Sequence, residues 1–101
     1  MTPDPIPRAV LLLSCMAHPI RLAVLARLHS VGPADVGTLR HELDVDQSGL
    51  SHHLRQLRDA RLVVGERDGR RIIYRLHDAH VGRILDDTLA HAAELDAEAS
   101  P

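Results

Sequence analysis

Four side chains with metal-binding chemistry lie near the end of the chain. Asp78 and His80 form one pair, and His91 and Glu94 form a second, in the pattern D-x-H-x10-H-x2-E. Imidazole nitrogens and carboxylate oxygens are common ligands of Zn²⁺, which takes four donors at about 2 Å in a tetrahedron. The pattern therefore predicts a zinc site. The alternative is that these polar residues form the solvated face of a surface helix.

One helix, from Asp78 to about Asp96, is predicted to carry all four residues. Its apolar residues recur at the i, i+3, i+4, i+7 spacing of an amphipathic helix, at Val81, Ile84, Leu85, Thr88, Leu89, Ala92 and Leu95. At about 1.5 Å per residue the two pairs are about 20 Å apart, too far to share one ion. Two copies packed antiparallel would bring one pair from each chain together, twice. The spacing therefore predicts a two-fold symmetric homodimer together with the metal.

Size and composition indicate a single small domain. The chain has 101 residues with no Trp or Phe and one Tyr, so aliphatic side chains must fill its core. A core of this kind gains from burying more surface in a dimer. No run reaches the roughly eighteen apolar residues of a membrane span, and the opening MTPDPIPR lacks the features of a signal peptide. We therefore expect no membrane partner and a cytoplasmic location.

The charge of the chain is unevenly distributed. The net charge is −2, but residues 51–75 hold seven Arg against three acids, whereas residues 76–101 hold one Arg against six acids. A basic middle between more acidic ends is typical of a localised anionic partner such as the phosphate backbone of a nucleic acid.

The middle of the chain predicts a helix-turn-helix. A loose, disordered arm (1–7) precedes an apolar helix from Arg8 to about Ala17, and Pro19 suits the first turn of a second helix that ends before Gly32. Two shorter helices follow, at 34–43 and at 46–60, the latter with Asp46 as N-cap. Because only a brief turn separates them, they are predicted to form a helix-turn-helix.

A β-hairpin is predicted after these helices. Residues 62–64 and 72–74 are rich in β-branched side chains, and Asp68-Gly69 between them is a strong hairpin signal. The fold class is therefore mainly α with a small β-hairpin, a winged helix-turn-helix. Residues 8–96 would form the DNA-binding and dimerisation domain, and residues 97–101 a disordered tail.

The predicted DNA contacts come from the second helix of this motif and from the hairpin tip. The second helix enters the major groove, and its exposed residues would be Gln47, Ser48, Ser51, His52, His53, Arg55 and Gln56. Gln can pair with adenine and Arg with guanine. The tip carries three cations, Arg67, Arg70 and Arg71, which could contact phosphates or a minor groove. The alternative is that they form a solvated charged surface. His52 and His53 project about 100° apart, which favours DNA-facing or partly buried positions over a shared metal ion.

Taken together, these motifs resemble the ArsR/SmtB family of bacterial metal-responsive repressors, over nearly everything from Arg8 onward. The stretches that carry the likeness are HPIRLAVLARL for the second helix, QSGLSHHLRQLRDARLV for the recognition helix and ERDGRRIIYRL for the wing. Asp78, His80, His91 and Glu94 match the SmtB-type zinc site. The resemblance implies that these residues bind zinc across a homodimer, and that the metal-free dimer holds double-stranded operator DNA and the loaded one releases it.

The chain also departs from some relatives. Where these carry an ELCVC metal site, this chain has ELDVD (42–46) without a thiol, so that site is predicted to be absent. One cysteine, Cys15, cannot supply the clustered thiolates that arsenic or antimony needs. Nickel- and cobalt-sensing relatives recruit extra histidines, whereas none precedes His18 or follows His91 here. Tetrahedral Zn²⁺ is favoured, and Co²⁺ or Ni²⁺ remains an alternative.

Other classes of function predict different properties. The last helix could serve only for dimerisation in a winged-helix regulator without a metal effector, controlled through protein contacts. Cys15 could be a redox switch, or simply a small buried apolar residue. An enzyme is not predicted, because the chain has no H-E-x-x-H, nucleophile elbow or phosphate loop, and a four-ligand zinc shell leaves no position for a catalytic water.

Overall fold

The computed structural model describes residues 1–100 and shows five helices and three strands in that range. In chain order the elements are α1 (Ile6–Met16), α2 (Pro19–Ser30), β1 (Ala34–Asp35), α3 (Val36–Leu43), α4 (Gln47–Asp59), β2 (Val63–Asp68), β3 (Arg71–Leu76) and α5 (Ala79–Ala99). The strands form one antiparallel sheet in the order β1-β3-β2. The predicted fold class, mainly α with a β-hairpin wing, is confirmed.

Both terminal helices are longer than the sequence predicted. The first begins at Ile6, inside the predicted arm 1–7, because a proline is tolerated in the first turn of a helix and Pro7 lies there. The last continues to Ala99, through most of the predicted tail 97–101, since Ala and Glu are good helix formers. Pro101 lies outside the described residues.

Local side-chain caps define the helix-turn-helix. Asp35 accepts a hydrogen bond from the Thr38 N–H (2.8 Å) at the start of α3, and Asp46 accepts one from the Gly49 N–H (2.9 Å) at the start of α4. Between them Asp44 adopts a left-handed conformation (φ 53°) that ends α3. Asp46 is therefore the N-cap that the sequence predicted.

The sheet has one strand more than predicted. Ala34 and Asp35, expected to begin a helix, instead pair with Tyr74 and Ile73 of β3. In the hairpin, β2 and β3 pair from Val63↔Leu76 to Asp68↔Arg71, and the two-residue loop begins at Gly69 with φ +64°. A positive φ at this first loop position is the conformation that favours glycine in a hairpin turn.

The core is almost entirely aliphatic, and α5 contributes to it from one face. Its largest fully buried side chains are Val24, Leu25, Leu39, Leu50, Leu54, Leu57, Leu62, Val63 and Leu85. Other apolar side chains of α1 and α5 are exposed, and we call them the α1–α5 apolar surface: Ile6, Val10, Leu11, Leu13, Ile84, Leu89 and Leu95. In residues 1–100 no single helix could cross a membrane by length and hydropathy; α1 and α2 meet that test only together, across a bend of 92°.

Candidate nucleic-acid interface and metal-binding helix

The recognition helix α4 is anchored by three buried leucines, Leu50, Leu54 and Leu57, along one face. Five of the predicted DNA-contacting residues are exposed on it, namely Gln47, Ser48, Ser51, His52 and Arg55. The Ser48 hydroxyl donates to Asp46 Oδ2 (2.6 Å), and Arg40 Nη1 on α3 donates to Gln47 Oε1 (3.5 Å). The exposed Arg40 is thus a cation beside the predicted DNA surface that the sequence analysis missed, although its charge within the helix-turn-helix was a usable signal.

The two remaining residues of that predicted set face α2 instead. Arg21 Nη1 donates to Gln56 Oε1 (2.7 Å) and to His53 Nδ1 (3.2 Å), and both acceptor side chains are partly buried. Burial lowers the pKa of His53, and the nearby His18 and Arg21 lower it further. In this structure His53 and Gln56 therefore make an intramolecular contact.

The wing presents cations of two kinds. Arg67, Arg70 and Arg71 are all exposed, as predicted for the hairpin tip. Arg71 already forms ion pairs with Asp35 (3.3 Å) and Asp68 (3.7 Å). Since the described residues show no ion pair for Arg67 or Arg70, these two can meet a phosphate without breaking a contact.

The first candidate metal pair lies at the start of α5, where Asp78 is also the N-cap. Asp78 Oδ1 accepts from the backbone N–H of His80 (3.0 Å) and of Val81 (3.3 Å). The other oxygen is 3.2 Å from His77 Nδ1, and this contact, ahead of the cap hydrogen bonds, lowers the Asp78 pKa. The His80 side chain is 78% exposed, with Nδ1 3.6 Å from Asp78 Oδ1. The pair is thus assembled and open to solvent.

The second pair is equally open. His91 Nδ1 and Glu94 Oε2 are 3.9 Å apart on α5, and their side chains are 71% and 73% exposed. Within residues 1–100 of one chain, no group of three His, Cys, Asp or Glu side chains is close enough to hold a metal ion. A site made from all four donors would need a second copy of the chain.

Gly82 and His29 define the contact between α5 and α2. His29 Nε2 at the end of α2 is 2.8 Å from Asp86 Oδ1, and the ring packs over the buried Gly82. A Cβ on Gly82 would lie 2.7 Å from His29 Cε1, closer than atoms can pack. This contact was not predicted from the sequence, although an isolated glycine inside a helical pattern is a known signal of close packing.

Cys15 lies on α1 against the recognition helix. The thiol is partly buried, with Sγ 3.7 Å from the backbone oxygen of Gln56, and burial raises its pKa. Because the thiolate is the reactive form, these surroundings are those of a packed thiol and give no support to a redox switch.

Comparison with known proteins identifies the family. A model of a helix-turn-helix domain matches residues 16–66. The chain is 43% identical over 83 residues to the HTH-type transcriptional regulator NmtR of Mycobacterium tuberculosis, covering 82% of this chain and 68% of that protein. It is 40% identical over 97 residues to the HTH-type transcriptional repressor SmtB of the same species, covering 91% and 71%. The chain belongs to the ArsR/SmtB family.

A solved structure shows the same winged helix-turn-helix architecture. HlyU from Vibrio cholerae N16961 superposes with a TM-score of 0.80 at 32% identity, covering 91% of this chain and 97% of that one. The family and its structural neighbours are DNA-binding transcriptional regulators and not enzymes. The resemblance drawn from the sequence motifs is therefore confirmed.

Proposed function

We propose that this protein is a metal-responsive repressor whose metal-free homodimer binds operator DNA and releases it when Zn²⁺ is held at the dimer interface. The observation that carries the proposal is the arrangement of α5. Two exposed donor pairs, Asp78 with His80 and His91 with Glu94, lie at its opposite ends with exposed apolar residues between them. Relatives named as transcriptional regulator and repressor support the repressor role.

The α1–α5 apolar surface supports the homodimer. Leu11 and Leu13 of α1 are 63% and 57% exposed, and Leu89 and Leu95 of α5 are 43% and 50% exposed. Exposed apolar side chains on neighbouring helices typically mark an interaction surface, and Leu13 of α1 and Ile84 of α5 line one shared cavity. A second copy of the chain is the partner that would also bring two more donors to each end of α5.

The donor set fits a closed zinc site. Two imidazoles and two carboxylates satisfy the four positions of tetrahedral Zn²⁺, which would link the two chains and is redox-inert. Asp78 can serve as cap and ligand together, because a carboxylate has about four acceptor positions and the cap uses only one of its oxygens. His77, which contacts the other oxygen, is then placed to orient it.

The exposed face of α4 and the wing support operator binding. Gln47, His52 and Arg55 can reach base edges from the recognition helix, and Arg67 and Arg70 can contact phosphates. Ser48 and Ser51 lie on the same exposed face. The predicted roles of His53, Gln56 and Arg71 in DNA contact would require their present intramolecular contacts to open.

Mixing two inactive variants tests the shared site. His80→Ala and His91→Ala each remove one ligand from both sites of their own homodimers, so neither variant should bind zinc tightly in a chelator competition. A mixed dimer should recover one intact site, because one chain keeps Asp78 and His80 and the other keeps His91 and Glu94. Recovery of about half the wild-type stoichiometry in the purified mixed dimer is expected. No recovery, or full zinc binding by either homodimer, would refute the shared site.

Metal titrations of the wild-type protein identify the preferred metal. Titrations with Zn²⁺, Co²⁺ and Ni²⁺ compare affinities, and the visible absorption of bound Co²⁺ reports its coordination, since tetrahedral Co²⁺ absorbs much more strongly than octahedral Co²⁺. A strong tetrahedral spectrum and a preference for Zn²⁺ over Ni²⁺ are expected from a four-donor site. A weak octahedral spectrum with tight Ni²⁺ binding would favour a nickel or cobalt sensor instead.

A further inference from the structure

A polar junction joins α1, α2 and the recognition helix, and Arg21 is at its centre. Arg21 Nε donates to the backbone oxygen of Cys15 (2.6 Å) at the end of α1. Nη1 of the same guanidinium donates to Gln56 Oε1 (2.7 Å) and His53 Nδ1 (3.2 Å) on α4. One side chain thus connects a helix of the proposed dimer interface to the helix that reads DNA.

The protonation state of His53 follows from this geometry. A guanidinium has only donors, so Nδ1 of His53 must be an unprotonated acceptor. Nδ1 of the neighbouring His18 accepts from the Ile20 N–H (3.1 Å) as the N-cap of α2. The two rings lie 4.4 Å apart between centroids. His53 is therefore neutral in this arrangement, and a proton on its Nδ1 would break the contact with Arg21.

We propose that Arg21 is a positioning residue for the recognition helix, and that it holds α4 in the DNA-binding orientation only while His53 is neutral. This inference rests on operator binding by the proposed function. The packing of Leu50, Leu54 and Leu57 fixes how close α4 lies to the core but has little directionality. The hydrogen bonds from Arg21 to His53 and Gln56, which are one turn apart, fix the rotation of α4 about its axis. They therefore fix the direction in which its exposed face points.

The surroundings of His53 oppose its protonation. From α2 it faces His18 and Arg21, and from its own helix it faces His52. Cys15 on α1 is a neutral thiol at this junction, since its pKa is raised by burial. Asp46 is the acid nearby, and it is already engaged by Ser48 and Gly49. Burial and the neighbouring cationic groups lower the pKa of His53 below its ordinary value of 6.5.

Operator affinity as a function of pH tests the proposal. Fluorescence anisotropy with chelated, metal-free protein at fixed salt should show binding that weakens severalfold as the pH falls from about 7.5 to about 5.5, because the held form of α4 has the lower His53 pKa and protonation therefore favours the released form. His53→Asn keeps an acceptor near the position of Nδ1 and cannot titrate. It should bind within about threefold of wild type near pH 7.5 and lose most of the pH dependence.

His41→Asn is the matched control, because His41 is an exposed histidine on α3 that belongs neither to the metal pairs nor to the Arg21 junction. It should keep the wild-type loss of affinity at low pH. Circular dichroism at each pH confirms that the variants stay folded. If His53→Asn keeps the full pH dependence, or if His41→Asn removes it, the assignment to His53 is wrong.

Arg21→Met tests the positioning role without DNA. Removing the guanidinium removes a nearby positive charge, so the pKa of His53 in an NMR titration of the free protein should rise toward 6.5. The variant should also bind operator more weakly near pH 7.5, with a flattened pH profile. An unchanged His53 pKa, or unchanged affinity, would overturn the proposal. Failure of the wild type to bind operator at any pH would refute the proposed function as well, whereas tight binding without pH dependence would refute only this inference.

Discussion

The two faces of α5 should respond differently to the same substitution. Leu85 is fully buried in the core of one chain, whereas Leu89, one turn further, is 43% exposed there. Truncating a buried Leu to Ala costs about 2–5 kcal/mol, so Leu85→Ala should lower the free energy of unfolding by about 3 kcal/mol. For a domain of about 100 residues, 1 kcal/mol corresponds to about 4–8 °C in Tm. A fall of about 12–24 °C is expected.

Leu89→Ala should act on the dimer instead. If a second copy covers the exposed part of the side chain, truncation removes about 1 kcal/mol of apolar burial per chain. Two chains per dimer give about 2 kcal/mol, which raises the dimer dissociation constant about 30-fold. The fold of each chain should be little affected, because Leu89 lies outside the buried core.

Sedimentation equilibrium and thermal unfolding at several protein concentrations separate the two effects. The Tm of a dimer depends on protein concentration, so variants must be compared well below their dissociation constants, where both are monomers. There Leu89→Ala should keep a Tm close to wild type, and Leu85→Ala should not. An unchanged dimer dissociation constant in Leu89→Ala, or a Tm loss of the monomer equal to that of Leu85→Ala, would refute the assignment of the two faces.

Three further predictions concern single side chains. Gly82→Ala should lower the Tm, although Gly-to-Ala inside a helix normally raises it, because the new methyl group would collide with His29. In a chain that already carries His29→Ala, the same Gly82→Ala substitution should raise the Tm. Arg70→Ala should reduce the slope of log operator affinity against log salt concentration by about 0.9 per chain. Arg75→Ala should change this slope less, because Arg75 is already paired with Glu66. Hydrogen bonds from Ser48 and Gly49 lower the Asp46 pKa, so they stabilise the fold above pH 3.8 and are lost as the pH falls further; Asp46→Asn should show less acid destabilisation in denaturant titrations.

The parts of the fold that the sequence predicted are those with local causes. Pro19 begins α2, Asp46 caps α4, and Asp68-Gly69 marks the hairpin turn. Each of these acts within a few residues of itself, so its spacing is visible in the sequence. The strand β1 was missed because it consists only of Ala34 and Asp35, and its pairing partners on β3 are about forty residues away.

The same distinction between local and distant causes applies to the candidate sites. His91 lies 3.9 Å from Glu94, as expected for side chains i and i+3 on one helix, whereas Asp78 lies beside His80 because it caps α5. The sequence could not show that His53 faces α2 rather than solvent, because that depends on Arg21, thirty-two residues away. The contact of His29 with Asp86 depends likewise on how α5 packs against α2.

Release of operator DNA by zinc tests the central claim most directly. Anisotropy of labelled promoter DNA is measured with metal-free protein, and Zn²⁺ is then added. We expect tight binding without metal, release at about one Zn²⁺ or fewer per chain, and loss of that response in Glu94→Ala with metal-free binding intact. Operator affinity that stays the same with saturating Zn²⁺, Co²⁺ and Ni²⁺ would contradict it.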